Sequence, residues 1–188
     1  NSRPSKEEVI NQAFQYHSQG NIQEALKYYQ YFLRQGFIDH RVFSNYGVII
    51  KELGKLKEAE IFQRKAIHVK PDYAEAYSNL GCILKDNGNL KEAATYLRKA
   101  VELKPNFANA YYNLGNIMKD LNNLKEAEFL QRKAISLEPN FTEAYSNLAD
   151  ILQELGKLKE AELAARKAIN IQPTFAEAYS NLGNILRD

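Results

Sequence analysis

Apolar residues recur at three- and four-residue spacing in short runs along most of this chain. From Ala74 to Lys85, and again from Leu90 to Leu103, the pattern is that of a helix with one buried face. Between the two runs, Asp86-Asn87-Gly88-Asn89 is a cluster of turn formers that ends one helix and starts the next. Pro105 cannot continue the second helix and sets the turn beyond it. The predicted element is therefore helix A, tight turn, helix B, turn. That element returns along the chain. Pro71, Pro105, Pro139 and Pro173 stand 34 residues apart, as do Tyr77, Tyr111, Tyr145 and Tyr179, and Leu80, Leu114, Leu148 and Leu182. Residues 52–60 and 154–162 both read ELGKLKEAE, and 74–81 and 176–183 both read AEAYSNLG. A fixed period of this length marks stacked repeats that bury one another, with no single central core.

The units run 6–39, 40–73, 74–107, 108–141 and 142–175; one more helix A fills 176–188, and residues 1–5 are expected to be loose. A 34-residue helical hairpin with an aromatic, Leu-Gly, two alanines and Pro at these offsets resembles the tetratricopeptide repeat (TPR), and the resemblance covers Lys6 to Asp188. Tyr stands where that family often has Trp. Unit spacing and the Asn-Leu-Gly string are most similar to the arrays preceding the catalytic domain of O-linked N-acetylglucosamine transferases, and to bacterial repeat proteins fused to transferases. The resemblance implies an all-α fold, a right-handed α–α superhelix of five hairpins plus one extra helix.

Counting from the start of each unit, positions 4, 7, 8 and 11 share one side of helix A, and in the third unit these are Tyr77, Leu80, Gly81 and Leu84. This side is the core. A mid-helix glycine costs roughly 0.5–1 kcal/mol against alanine, so close approach of helix B is expected to require it. The expected neighbour of Gly81 is Ala93, and Gly47/Ala59 and Gly115/Ala127 repeat the pair.

The opposite side carries positions 2, 6, 9 and 13, with 5 and 12 flanking; the family resemblance makes it the concave surface. Position 6 is Asn throughout: Asn11, Asn45, Asn79, Asn113, Asn147 and Asn181. Position 13 supplies acids (Glu52, Asp86, Asp120, Glu154, Asp188) and position 12 supplies bases (Lys51, Lys85, Lys119, Arg187), broken by Gln153. An asparagine ladder with an acidic row beside it and a basic row at its edge is expected. A carboxamide both donates and accepts, so such a ladder suits the backbone of an extended peptide, and equally suits hydrogen bonding between helices of the scaffold. Six hydrogen bonds of about 0.5–1.5 kcal/mol each would bind only in the millimolar to micromolar range. Specificity then falls to variable positions: Tyr112, where other units have Ser, with Asn116, Asp150, Asn109, Asn184, Arg41 and Cys82. Chaperone-tail clamps of this family need Lys at position 5, which here is Ile10, Ser44, Ser78, Tyr112, Ser146 and Ser180; such tails are not expected.

Composition narrows the function class. A net charge of +2, from 25 basic and 23 acidic residues, leaves no footprint for nucleic acid. Apolar stretches of a few residues are too short for a membrane. Cys82 is the sole cysteine, which excludes an intrachain disulfide and a cysteine metal cluster. Nothing around it resembles the cationic setting of a reactive thiolate. His17, His40 and His68 lack ligand spacing, every glycine sits at a repeat or turn position, and no serine has a placed histidine partner. No catalytic site and no cofactor are expected. Asn140-Phe141-Thr142 matches a glycosylation acceptor by chance. No secretory signal is visible, which decides little because the chain starts at Asn and not Met; the location expected is cytoplasmic.

The ends depart from the pattern. Unit 1 has Gln12, Ala13 and Phe37 for Leu, Gly and Pro, and an aromatic helix B with Tyr28, Tyr29, Tyr31 and Phe32, either a cap or a second contact surface. The last helix A would leave Tyr179, Leu182 and Leu186 without a partner, so a longer array or self-association through the C-terminal helix is expected. The functional expectation is a scaffold that binds a protein or peptide in its groove, with the substrate-recruiting arm of a larger glycosyl- or sulfotransferase as the alternative.

Overall fold

A computed structural model describes residues 4–187. Residues 1–3 of the segment expected to be loose, and Asp188 of the acidic row, lie outside the described residues. The helices are α1 (Lys6–Ser18), α2 (Ile22–Arg34), α3 (His40–Glu52), α4 (Leu56–Val69), α5 (Ala74–Asp86), α6 (Leu90–Leu103), α7 (Ala108–Asp120), α8 (Leu124–Leu137), α9 (Thr142–Glu154), α10 (Leu158–Ile171) and α11 (Ala176–Arg187). No strand occurs among the described residues, and none of these helices is long and apolar enough to cross a membrane. The all-α hairpin architecture follows the period.

Local chemistry sets the helix ends. Ser5 caps α1 in a reciprocal capping box, its backbone N–H donating to Glu8 Oε2 at 2.6 Å and its hydroxyl accepting from the Glu8 N–H at 3.3 Å. Asn21 caps α2, and the Asp39 carboxylate accepts the Arg41 and Val42 N–H groups in the first turn of α3. Most A-to-B turns close through a residue with positive φ: Gly20, Gly54, Gly88 and Gly156, and in one hairpin Asn122 at φ 59°.

The chain divides into two compact units, one ending at Gly88 and one starting at Asn89. In the first, α1 contributes Val9, Ile10 and Ala13, α2 contributes Ala25, Tyr29 and Phe32, and α3 contributes Val42, Tyr46, Ile49 and Ile50 to one core. Full burial of Tyr29 and Phe32 sends half of the aromatic α2 set inward, each worth about 1.5–3 kcal/mol; Tyr28 and Tyr31 stay half-buried. In the second unit, Leu148, Ala149 and Leu152 of α9 pack on Ala161, Ala164 and Ala165 of α10 and on Ile185 of α11.

Gly47 and Gly115 of the A helices are tight, with one correction to what they meet, whereas Gly183 of α11 has nothing within 4 Å of an added Cβ. A Cβ on Gly47 would lie 3.3 Å from the Ala59 carbonyl, but only 2.7 Å from Gln63 Nε2. On Gly115 it would lie 2.7 Å from Gln131 Nε2, and Ala127 is not among its three nearest neighbours. The neighbour is a buried glutamine amide laid over the glycine. Where α10 has Ala165 at the matching position, α9 carries Ala149 and no glycine is needed.

Candidate functional site

In the first unit the face opposite the core is built from α1, α3 and α5. Asn45 and Asn79 sit on it half-buried, with Lys85 half-buried and Asp86 exposed. Their amides are not free rungs. Asn79 Nδ2 donates to the Ser44 hydroxyl on α3 at 3.2 Å; that hydroxyl donates to Gln63 Oε1 at 3.0 Å, and Gln63 Nε2 returns to the Ser44 carbonyl at 2.9 Å. Asn45 bonds the phenol of Tyr29. Lys51 reaches Asp86 one repeat on, at 2.9 Å.

In the second unit α7, α9 and α11 present Asn113, Asn147 and Asn181, all half-buried. Asn181 Nδ2 donates to the carbonyl and hydroxyl of Ser146, each at 3.1 Å, repeating the Asn79 arrangement. On α7, Tyr112 replaces the serine and its ring turns onto Phe141, 4.9 Å between centroids. Asn147 therefore finds another acceptor, Asn116 Oδ1 at 2.8 Å, which also takes Gln131 Nε2 at 2.7 Å. Gln131 Nε2 keeps its bond to the Tyr112 carbonyl at 3.3 Å, and Gln131 Oε1 is buried with no partner among the described residues. Its amide cannot usefully flip, because only an N–H can face the Tyr112 carbonyl. Lys119 bonds Asp150 and lies 3.6 Å from Glu154. Burial works to lower the Lys119 ammonium, but its hydrogen bond to Asp150 and the two carboxylate charges outweigh that and hold it above its ordinary value. Asp120 is exposed at the end of α7.

Two expectations change. The acidic and basic rows are not parallel charged edges: at Lys51–Asp86 and Lys119–Glu154 they pair across neighbouring A helices, because a lysine stem spans one repeat. The asparagine nitrogens of Asn79, Asn147 and Asn181 are tied to the preceding A helix, so these amides are not free on both sides. Burial pushes the Cys82 thiol up, the setting of an unreactive cysteine. Sequence reasoning missed Gln63 and Gln131. The signal lay in one helix-B position reading Tyr29, Gln63, Leu97, Gln131 and Ala165, where polar residues intrude on a buried column.

Family models described as TPR repeat match residues 81–122, and others described as tetratricopeptide repeat match 40–73 and 108–141 and 130–162. Solved structures are similar throughout. TTC0263, a thermophilic TPR protein in Thermus thermophilus, is 20% identical with a TM-score of 0.75, covering 98% of this chain and 100% of that one. MamA from Desulfovibrio magneticus RS-1 is 22% identical with a TM-score of 0.77, covering 93% and 99%. YrrB, described as a TPR protein with an unusual peptide-binding site, is 24% identical with a TM-score of 0.73, covering 94% and 91%. At such identities the likeness is one of fold. No curated protein sequence matches the chain significantly.

Proposed function

Because the chain belongs to the tetratricopeptide repeat family, a fold used for protein–protein interaction, we propose that it captures an extended peptide along the asparagine-bearing faces of its A helices. The observation that carries this reading is the orientation of the amides. Three of them anchor their nitrogens in the scaffold, and an anchored carboxamide offers its oxygen in a held position with little rotamer entropy left to lose. Within the second unit, Asn147 and Asn181 on successive A helices give two such acceptors for N–H groups of an extended chain, and Asn79 gives one in the first unit. Peptide binding by a structural neighbour, YrrB, supports the class of ligand. Tyr112, Asn116 and Asp150 are the side-chain contacts that would distinguish one peptide from another.

The test uses a randomised, unstructured peptide library as probe. Asn79→Ala/Asn113→Ala/Asn147→Ala should weaken library binding by about tenfold or more, from three hydrogen bonds of about 0.5–1.5 kcal/mol each. Melting should fall by only a few degrees. Unchanged binding in a folded variant sinks the proposal and leaves the asparagines as struts between helices.

A further inference from the structure

The first repeat holds a pocket that the asparagine row alone does not explain. Phe14, His17 and Ser18 of α1, with Asn45 of α3, line a cavity of about 430 Å³. Behind it lies Tyr29, wholly buried, with its phenol oxygen 3.0 Å from His17 Nδ1. Asn45 bonds the same phenol.

The tautomer of His17 sets the direction of this three-residue chain. With the Asn45 amide as donor to the phenol oxygen, the direction in which it opposes burial of Tyr29, the phenol proton goes to His17 Nδ1 at 3.0 Å. The imidazole then carries its proton on Nε2 as a donor, while the Asn45 carbonyl oxygen remains an acceptor. Ser18 Oγ donates to the Gln15 carbonyl at 2.9 Å and keeps its lone pairs. Phe14 supplies apolar surface and is held from behind, its ring 6.3 Å from that of Tyr29 and 5.5 Å from the Arg41 guanidinium. Arg41 is itself fixed by Asp39, at 2.8 and 3.1 Å. The neighbouring A helices of this unit continue the apolar character at the same position, with Val48 and Cys82 half-buried, whereas α7, α9 and α11 carry Asn116, Asp150 and Asn184 there.

We infer that this pocket is a subsite for one aromatic or large aliphatic residue of the bound peptide: its side chain lies on Phe14, its carbonyl accepts from His17 Nε2–H, and its N–H donates to Asn45 Oδ1. The inference rests on the groove reading for the ligand being a peptide, but it is tested apart from it. N-acetyl-phenylalaninamide and N-acetylserinamide are titrated into the full chain while the side-chain NMR signals of His17 and Asn45 are followed. The phenylalanine probe should shift both saturably, and the serine probe should bind about tenfold more weakly for lack of apolar surface. Phe14→Asn, the residue the scaffold accepts at 116 and 184, should remove the preference for phenylalanine. His17→Ala should weaken the phenylalanine probe by about threefold or more through one lost hydrogen bond, and it keeps the test valid where Phe14→Asn impairs folding. Equal affinity for the two probes, or no saturable shift at His17, overturns the subsite. If the library binds while the small probe leaves His17 unmoved, the groove reading survives alone. If the small probe binds and the library does not, the subsite stands and the groove reading falls.

Discussion

Gln63 and Gln131 occupy the same place in two hairpins, yet one amide is fully satisfied and the other is not. Both lie over a helix-A glycine and donate to the carbonyl at position 5. Only Gln63 also receives a hydroxyl, from Ser44, because Tyr112 brings none to Gln131. Removing a satisfied buried amide costs more than removing one with an orphaned oxygen. Gln63→Met is therefore expected to destabilise the chain by about 1–3 kcal/mol, and Gln131→Met by at least about 1 kcal/mol less, as read by urea unfolding. Tyr29 gives a second prediction. Burial pushes its phenol up to about 12, opposed by the hydrogen bond from Asn45. A folded pKa above the unfolded one contributes stability that is complete below about pH 10 and lost as the pH climbs toward 12. The unfolding free energy of the parent relative to Tyr29→Phe should accordingly drop by about 2–3 kcal/mol over that interval. Gln63 and Gln131 were not legible beforehand as anything but filler in a repeat, and Tyr29 stood out only as one of four aromatics in α2. A periodic pattern reports which column is buried, not which polar side chains within it have partners.

The helices and their turns are where the sequence was most informative. The run from Leu90 to Leu103 is α6 to the residue, and Ala74–Asp86 extends the anticipated Ala74–Lys85 by one, because three-residue periodicity and the turn formers both depend on local geometry. The turn after α7 is the exception that tests this. Gly54 and Gly156 take φ near 75° without cost, while the equivalent Asn122 adopts φ 59°. Asparagine tolerates this region better than other L residues but less well than glycine. Replacing Asn122 with Gly should raise stability by a few tenths of a kcal/mol, and Asn122→Ala should lower it by about 1 kcal/mol. Thermal melts of the pair would show both signs, and equal melting of the two variants would mean the backbone there relaxes.

Across the whole molecule, what the sequence concealed was the register of one A helix against the next. That offset decides whether Lys51 and Lys119 stand free or meet Asp86 and Asp150, and it decides that Asn181 reaches Ser146. Being half-exposed, these ion pairs are worth about 0–1 kcal/mol each. Raising salt from about 0.05 to about 1 M should therefore move the melting midpoint by only a few degrees; a large drop would show that the charges hold the stack together. The glycine-and-glutamine match has a further consequence, for how such a chain can be inherited. Gly47 fits Gln63, Gly115 fits Gln131 and Ala149 fits Ala165, each pair sixteen residues apart within a single hairpin. Exchange of a lone helix, such as α9 for α7, would bring an alanine methyl against a glutamine amide that leaves no room for it. Recombination that moves complete hairpins keeps each lock with its key. The hairpin, not the helix, is then the smallest piece that duplication and shuffling can pass on intact.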